Sequence, residues 1–181
     1  MLTGVRAAVD AALAQLVSDA SSGRLLVLAH GPGPDVGARR LRPSLAGAGI
    51  PDSWVPALCA WPAGPADAAH VPASVALLCL ADALAALDAA ARRDDVVVRE
   101  VPLDGFDVDD TARDVAGAAG VVVAGGGVPG GQDDAPRAMA AGVDRVLRQV
   151  AAARGWVPEV RHVPATGAHL PAEYEVTTFR E

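Results

Sequence analysis

The stretch Ala119 to Gly131, reading AGVVVAGGGVPGG, constrains this chain more than any other. Val121, Val122 and Val123 run into five glycines and one proline within the next eight residues. β-Branched side chains are stiff at χ1 and suit a pleated strand. Glycine at that density lets the backbone turn sharply or come close to a neighbour. The pattern predicts a buried strand that ends in a loop and is followed by a helix. Such a helix aims its N-terminal amides at the loop, and an anion is the natural guest. The loop is neither GxGxxG nor GxxxxGK[ST], so alone it fixes no chemistry.

The other apolar runs supply the rest of a sheet. Val5, Val9, Ala12, Leu13, Leu16 and Val17 share one helical face, and that helix ends near Ser21-Ser22-Gly23. Arg24 to Ala29 is a short apolar run of the interior-strand type. His30-Gly31-Pro32-Gly33-Pro34 breaks it. Asp35 reads as the N-cap of a helix over Val36 to Ala46, with Pro43 its end or kink. A strand is expected at Trp54 to Ala60, inside a proline-rich stretch, and another at Val75 to Leu80, before a helix over Ala81 to Arg93. Val96 to Val101 reads as a strand, and Asp107 to Ala116 as a helix with an acidic first turn. Asp133 to Arg154 reads as a long helix, with Pro136 tolerated in its first turn and Gly155 at its C′ position. Val157 to Val163 and Tyr174 to Phe179 complete the set of strands.

Helices alternating with apolar strands predict an α/β protein with an open, mainly parallel sheet covered by helices on both faces. The 181 residues fit one domain over 1–181, with the helix of 1–23 packed on it and 50–74 an excursion from the sheet. All fifteen basic residues are arginine, which excludes Schiff-base chemistry and a P-loop lysine. A net charge of −7 and 3% aromatic residues argue against nucleic acid and anionic membrane as partners. No apolar run has the ~18 residues of a membrane span, and the N-terminal segment lacks the apolar core of a secretory signal. Cys59 and Cys79 show no metal-ligand or redox spacing and read as reduced buried thiols. These features together point to the cytoplasm.

Several residues admit a site reading beside a structural one. His30 stands at a strand end among glycines, where it can serve a site or be satisfied by backbone. His162 and His169 flank PATGA without further ligands to complete a metal site. Asp107, Asp109 and Asp110 suit a solvated helix start, and Asp133 and Asp134 suit the cap of the long helix. The last two would repel a phosphate placed at that helix start. There is no G-x-S-x-G elbow and no Ser/His/Asp or Cys/His set.

From Asp107 to Tyr174 the chain resembles the C-terminal FAD-binding domain of the electron transfer flavoprotein α subunit. That family carries a strand ending in VVVSGGRG, a long helix, a G-[WF]-V-P turn, Q-V-G-Q-T-G and a P-E-L-Y segment. Here the order is Val121 to Gly127, Gly155-Trp156-Val157-Pro158, His162-Val163-Pro164-Ala165-Thr166-Gly167 and Pro171-Ala172-Glu173-Tyr174. Upstream, Leu26 to Leu41 is similar to the family's strand-loop-helix G-R-D-x-A-P-R, more loosely. The chain also departs from the pattern. Gly127 stands where the family has arginine, Ala165 replaces the glutamine of Q-T-G, and Arg148 falls one position from the arginine of GASR. One step on a helix rotates a side chain by ~100°. The resemblance implies a Rossmann-like three-layer fold of the DHS-like NAD/FAD-binding type.

It also implies FAD or a related nucleotide as cofactor, a partner similar to the electron transfer flavoprotein β subunit, and a dehydrogenase as electron donor. The protein would carry electrons rather than act as an enzyme. The implied contacts are Gly125, Gly126, Gly127, Arg148, Thr166 and Gly167. With polar contacts missing, at ~1–3 kcal/mol each, FAD affinity is expected to fall by several decades. One alternative is a scaffold of the same fold that has lost its cofactor and uses Trp54 to Trp61 as a contact surface. Another is a mutase-type cobalamin domain, whose histidine ligand would fall on Pro34.

Overall fold

The computed structural model describes residues 3–32, 34–61, 67–102, 107–124, 141–164 and 173–180. Three apolar runs pair in parallel: β1 (Leu25–His30), β2 (Val96–Val101) and β3 (Gly120–Ala124). Their order is β2-β1-β3, with Leu25 opposite Val96 on one side and Gly120 on the other. Both neighbours of β1 are strands, and helices cover both faces, so β1 has no polar face and needs none. Leu25 to Ala29 are at most 1% exposed.

Side chains alternate across the sheet. Leu25, Val27 and Ala29 join Val96 and Val98 under α1 (Thr3–Asp19) and α2 (Val71–Ala86). Leu26 and Leu28 join Val101 under α3 (Val108–Ala116) and α4 (Ala141–Arg154). Burying each such aliphatic side chain contributes roughly 1.5–3 kcal/mol, before the entropy of ordering it. The expected layering of helices on both faces of a parallel sheet is therefore present.

The expectation of a single sheet is corrected. β4 (Val157–Pro164) and β5 (Glu173–Arg180) form a separate antiparallel pair, with Val157 opposite Arg180 and Pro164 opposite Glu173. Val163 of this hairpin meets α1 at Gly4, while Trp156 and Phe179 pack on the α3–α4 side of the core.

Three local expectations are also corrected. Val75 to Leu80 is not a strand but the middle of α2, which begins with Pro72 in its first turn and buries Leu77, Leu80 and Leu84 completely. A helix enclosed on most sides is apolar nearly all round, so its sequence reads like a buried strand. Val36 to Ala46 is not a helix. Arg39 bridges Val98 on the outer edge of β2 and Arg42 bridges Ala68, so tertiary pairing overrides local propensity. Trp54 to Ala60 forms no strand but short 3-10 turns at Asp52–Trp54 and Pro56–Ala60.

Other expectations match. Asp107 caps α3, its carboxylate accepting the Asp110 amide at 2.9 Å. Gly155 follows α4 at φ 68°, a conformation costly for a residue with a Cβ. The long helix is described from Ala141; its expected start, with Asp133, Asp134 and Pro136, lies outside the described residues.

Candidate functional site

The strand order itself defines a candidate site. From β1 the chain crosses to one side to build β2, then to the other to build β3. In open parallel sheets a crevice opens at the carboxyl ends of the strands where that reversal occurs. Here the reversal falls between β1 and β3, where Ala29 is paired with Ala124.

The loop after β1 turns toward β2. It leaves His30 and leans over the end of β2, where the Val101 carbonyl accepts the Gly31 amide at 3.0 Å and lies 3.2 Å from His30 Nδ1. The approach is close. A Cβ on Gly31 would sit 2.8 Å from Glu100 Cβ, so glycine is needed at this position. Asp35 accepts the Gly37 amide at 3.2 Å, which turns the loop toward its bridge with Val98.

A buried arginine holds this loop in place. Arg99 of β2 is 2% exposed. Its guanidinium reaches Asp35 at 2.6 Å, Asp110 at 2.8 Å and Asp114 at 2.6 Å. It therefore ties the loop after β1 to α3 through a charge removed from water. Burial alone pulls the Arg99 pKa down, but the hydrogen bonds to Asp35, Asp114 and Asp110 more than offset this and leave it raised. The same contact lowers the Asp110 pKa. Arg99 Nε has no hydrogen-bond partner among the described residues. Arg24 and Arg113 stand beside Asp114 and Asp110 at 4.0 and 3.1 Å, so three arginines face three carboxylates.

Sequence reasoning did not single out Arg99. A lone arginine in VVVREV reads as an ordinary polar strand residue. The signal available was Asp110 and Asp114, four apart on one helical face, opposite an apolar strand interrupted by one arginine.

Gly125, Gly126, Gly127, Thr166 and Gly167 lie outside the described residues. In sequence, Gly125 follows directly from Ala124, the end of β3. Arg148 lies one residue beyond buried Leu147 on α4, with its side chain 78% exposed and ion-paired to Asp144. His162 pairs with Glu173 across the hairpin at 3.3 Å, and His169 lies outside the described residues.

A small cavity of about 110 Å³ opens beside the site, lined by Pro34, Val36, Gly37, Arg39, His70 and Glu100. It is well below the roughly 300–1,000 Å³ of pockets that enclose small-molecule ligands. Glu100 there accepts the His70 amide at 2.6 Å, which supplies an acidic group at the start of α2. Cys79 lies on α2, half-buried, where burial and the nearby charges of Asp82 and Asp10 push its thiol pKa up. A raised thiol pKa does not suit a nucleophile at neutral pH. Among the described residues no group of three or more His, Cys, Asp or Glu side chains is placed to hold a metal ion. Among the same residues no helix is long and apolar enough to cross a membrane. Comparison with protein-family models, with curated proteins and with solved structures finds no match to this chain.

Proposed function

We propose that the protein binds a nucleotide cofactor at the carboxyl ends of β1 and β3, as Rossmann-like sheets do. The single observation that carries this reading is the strand order β2-β1-β3, from whose third strand the glycine-rich sequence continues directly. On the resemblance to the electron transfer flavoprotein α subunit, the cofactor is FAD and the partner a β-like subunit. A dehydrogenase then supplies the electrons. Gly126 and Gly127 permit close backbone approach, Thr166 donates a hydrogen bond, and Arg148 contributes positive charge once released from Asp144. The departures from the family pattern make the affinity for FAD low.

The test is an absorption spectrum of the purified protein, alone and co-expressed with the product of the adjacent gene, followed by titration with FAD. A flavin spectrum, or saturable FAD uptake, supports the reading. A colourless protein that takes up neither FAD nor ADP overturns it. A second reading, a cofactor-free assembly partner, draws on Trp54, which is 76% exposed, with Ile50 nearby in sequence at 40%. Tryptophan so exposed is suited to an interface hot spot. Co-purification of a partner that is lost in Trp54→Ala, without a flavin spectrum, favours this second reading.

A further inference from the structure

Arg99 cannot discharge. A guanidinium keeps its proton at every pH at which proteins stay folded, and this one is 2% exposed. Its charge is met by Asp35 from the loop after β1 and by Asp110 and Asp114 from α3. Its Nε has no hydrogen-bond partner among the described residues, so the cluster holds nothing in reserve. Carboxylates, unlike the guanidinium, do titrate. Protonating them leaves a permanent cation buried without its counter-charges, and only water relieves that state. Among the described residues, Arg24 and Arg113 stand beside Asp114 and Asp110, and the Asp107 carboxylate caps the Asp110 amide. Both arginines also stay charged, so acid removes only the negative members.

The three elements around Arg99 differ in how easily they admit water. β2 is anchored by Val98 and Val101, at 1% and 0% exposure, and α3 by Thr111 and Val115, both at 0%. Residues 34–39 of the loop include no buried residue. Apart from Asp35, their ties are at Arg39. Its amide donates to the Val98 carbonyl at 2.9 Å, the Val98 amide donates back at 2.8 Å, and its guanidinium meets exposed Asp67. The loop is therefore the element that yields first.

We propose that the Arg99 cluster is an acid-released latch: as its carboxylates take up protons, residues 34–39 move away from β2 while the sheet and α3 stay folded, opening Arg99 and the outer edge of β2 to water. The latch works without a bound nucleotide. The lowered pKa of Asp110, caused by its hydrogen bond and charge interaction with Arg99, agrees in direction. The closed-form value lies below that of a free aspartate, about 3.9. The latch is thus complete above about pH 4 and is lost as pH falls through the closed-form value.

Amide hydrogen exchange of the full chain, followed by NMR from about pH 6 to about pH 3 and corrected for the intrinsic rate at each pH, tells local from global opening. The Arg39 and Val98 amides pair across the latch and report its release. The Leu26 and Leu28 amides in the central strand report the sheet. Each proton taken up on opening raises the opening constant about tenfold per pH unit. The opening constants of Arg39 and Val98 should therefore rise at least tenfold between about pH 4 and about pH 3, while those of Leu26 and Leu28 hold steady. Asp35→Asn keeps the shape of the side chain and removes its charge. It should raise the Arg39 and Val98 constants already at about pH 6 and make their later rise shallower. Asp109→Asn should behave as wild type, because Asp109 meets Gln149 and not Arg99. Opening at Arg39 and Val98 that ignores pH, or that rises in step with Leu26 and Leu28, overturns the latch. Equal behaviour of Asp35→Asn and Asp109→Asn overturns it as well. If Asp35→Asn does not fold, the wild-type series alone decides.

Discussion

The parallel sheet and the β4–β5 hairpin draw on similar residues and are held together differently. β1 is buried along nearly its whole length, whereas in β4 only Val163 is buried. In the sheet, stability comes from side chains packed between two helical layers. In the hairpin it comes from the backbone ladder and from cross-strand pairs worth roughly 0.2–1 kcal/mol each. A two-stranded ribbon is marginal by itself, so Val163, Trp156 and Phe179 matter as its ties to the body of the molecule. The edges differ too. The outer edge of β2 is bridged by Arg39, while β4 contains Pro158 and Pro164, two residues without an N–H to donate. β5 contains no proline. Burial in one region and pairing in the other imply different responses to the same kind of substitution.

The largest effect is expected at Arg99. Arg99→Met leaves Asp35, Asp110 and Asp114 facing one another without their shared cation. Breaking a buried pair from one side costs about 3–5 kcal/mol. Urea unfolding should show that loss, and hydrogen exchange should show the loop after β1 opening first. A loss below about 1 kcal/mol would mean that the cluster is solvated and that the loop is held by its backbone bridge to Val98 alone. Leu80→Ala in α2 should come next, at about 2–5 kcal/mol, because that side chain is fully buried against the sheet.

Gly31→Ala should follow at about 1–3 kcal/mol, since the new methyl meets the Cβ of Glu100, which cannot swing away as a side-chain tip can. The same substitution at Gly155 tests backbone strain instead of space, as nothing lies within 4 Å of a Cβ there. If the two variants lose stability equally, close approach is not what selects glycine at position 31.

What could be read from the sequence follows this contrast. β1, β2, β3, α1 and α3 were legible because each pairs a clear period or apolar run with local punctuation, such as Asp107 before α3. The hairpin strands were legible in position, but not in their separation from the sheet, because strand residues do not name their partners. α2 was misread because VALLCL is equally apolar as helix or strand; Pro72 at its start was the missed signal. The segment after Asp35 was misread because its conformation is set from a distance. In sequence Asp35 reads as a helix cap, while in the fold its carboxylate faces Arg99, 64 residues away. Of the candidate site, the strand end at His30 was legible, and the buried cation that anchors its loop was not.

Acid should discriminate the regions next. Asp110 has a lowered pKa from its hydrogen bond and charge interaction with Arg99, and Asp52 from hydrogen bonds with Ser44 and Arg42. In both, the folded-state pKa lies below the unfolded one, about 3.9. The unfolded chain therefore binds more protons in that window, and stability rises with pH across it. The contribution is complete above the unfolded value and is lost as pH falls through the folded one. Thermal midpoints measured from about pH 6 downward should hold steady and then fall below about pH 4. Asp110→Asn should flatten that fall. Asp109→Asn, one residue away on α3, should leave it intact, because Asp109 meets Gln149 and not Arg99. An equal effect from both variants would assign the acid sensitivity to the helix start and not to the buried cluster.

The smallest effect is expected on the open face of the hairpin. Val160 is 46% exposed and stands opposite Thr177, so Val160→Thr keeps a β-branched residue in the strand and removes little buried surface. The change in stability should lie within about 0.5 kcal/mol. Val98→Thr places the same hydroxyl at a site that is 1% exposed, where the backbone groups already pair with Arg39. Burying that hydroxyl without a partner costs about 1–3 kcal/mol. The ratio of the two losses in urea unfolding measures how far burial outweighs pairing in this fold. A loss at Val160 equal to that at Val98 would show that the face of β4 carrying Val160 is covered in solution, and the contrast between the two regions would then fail at the hairpin.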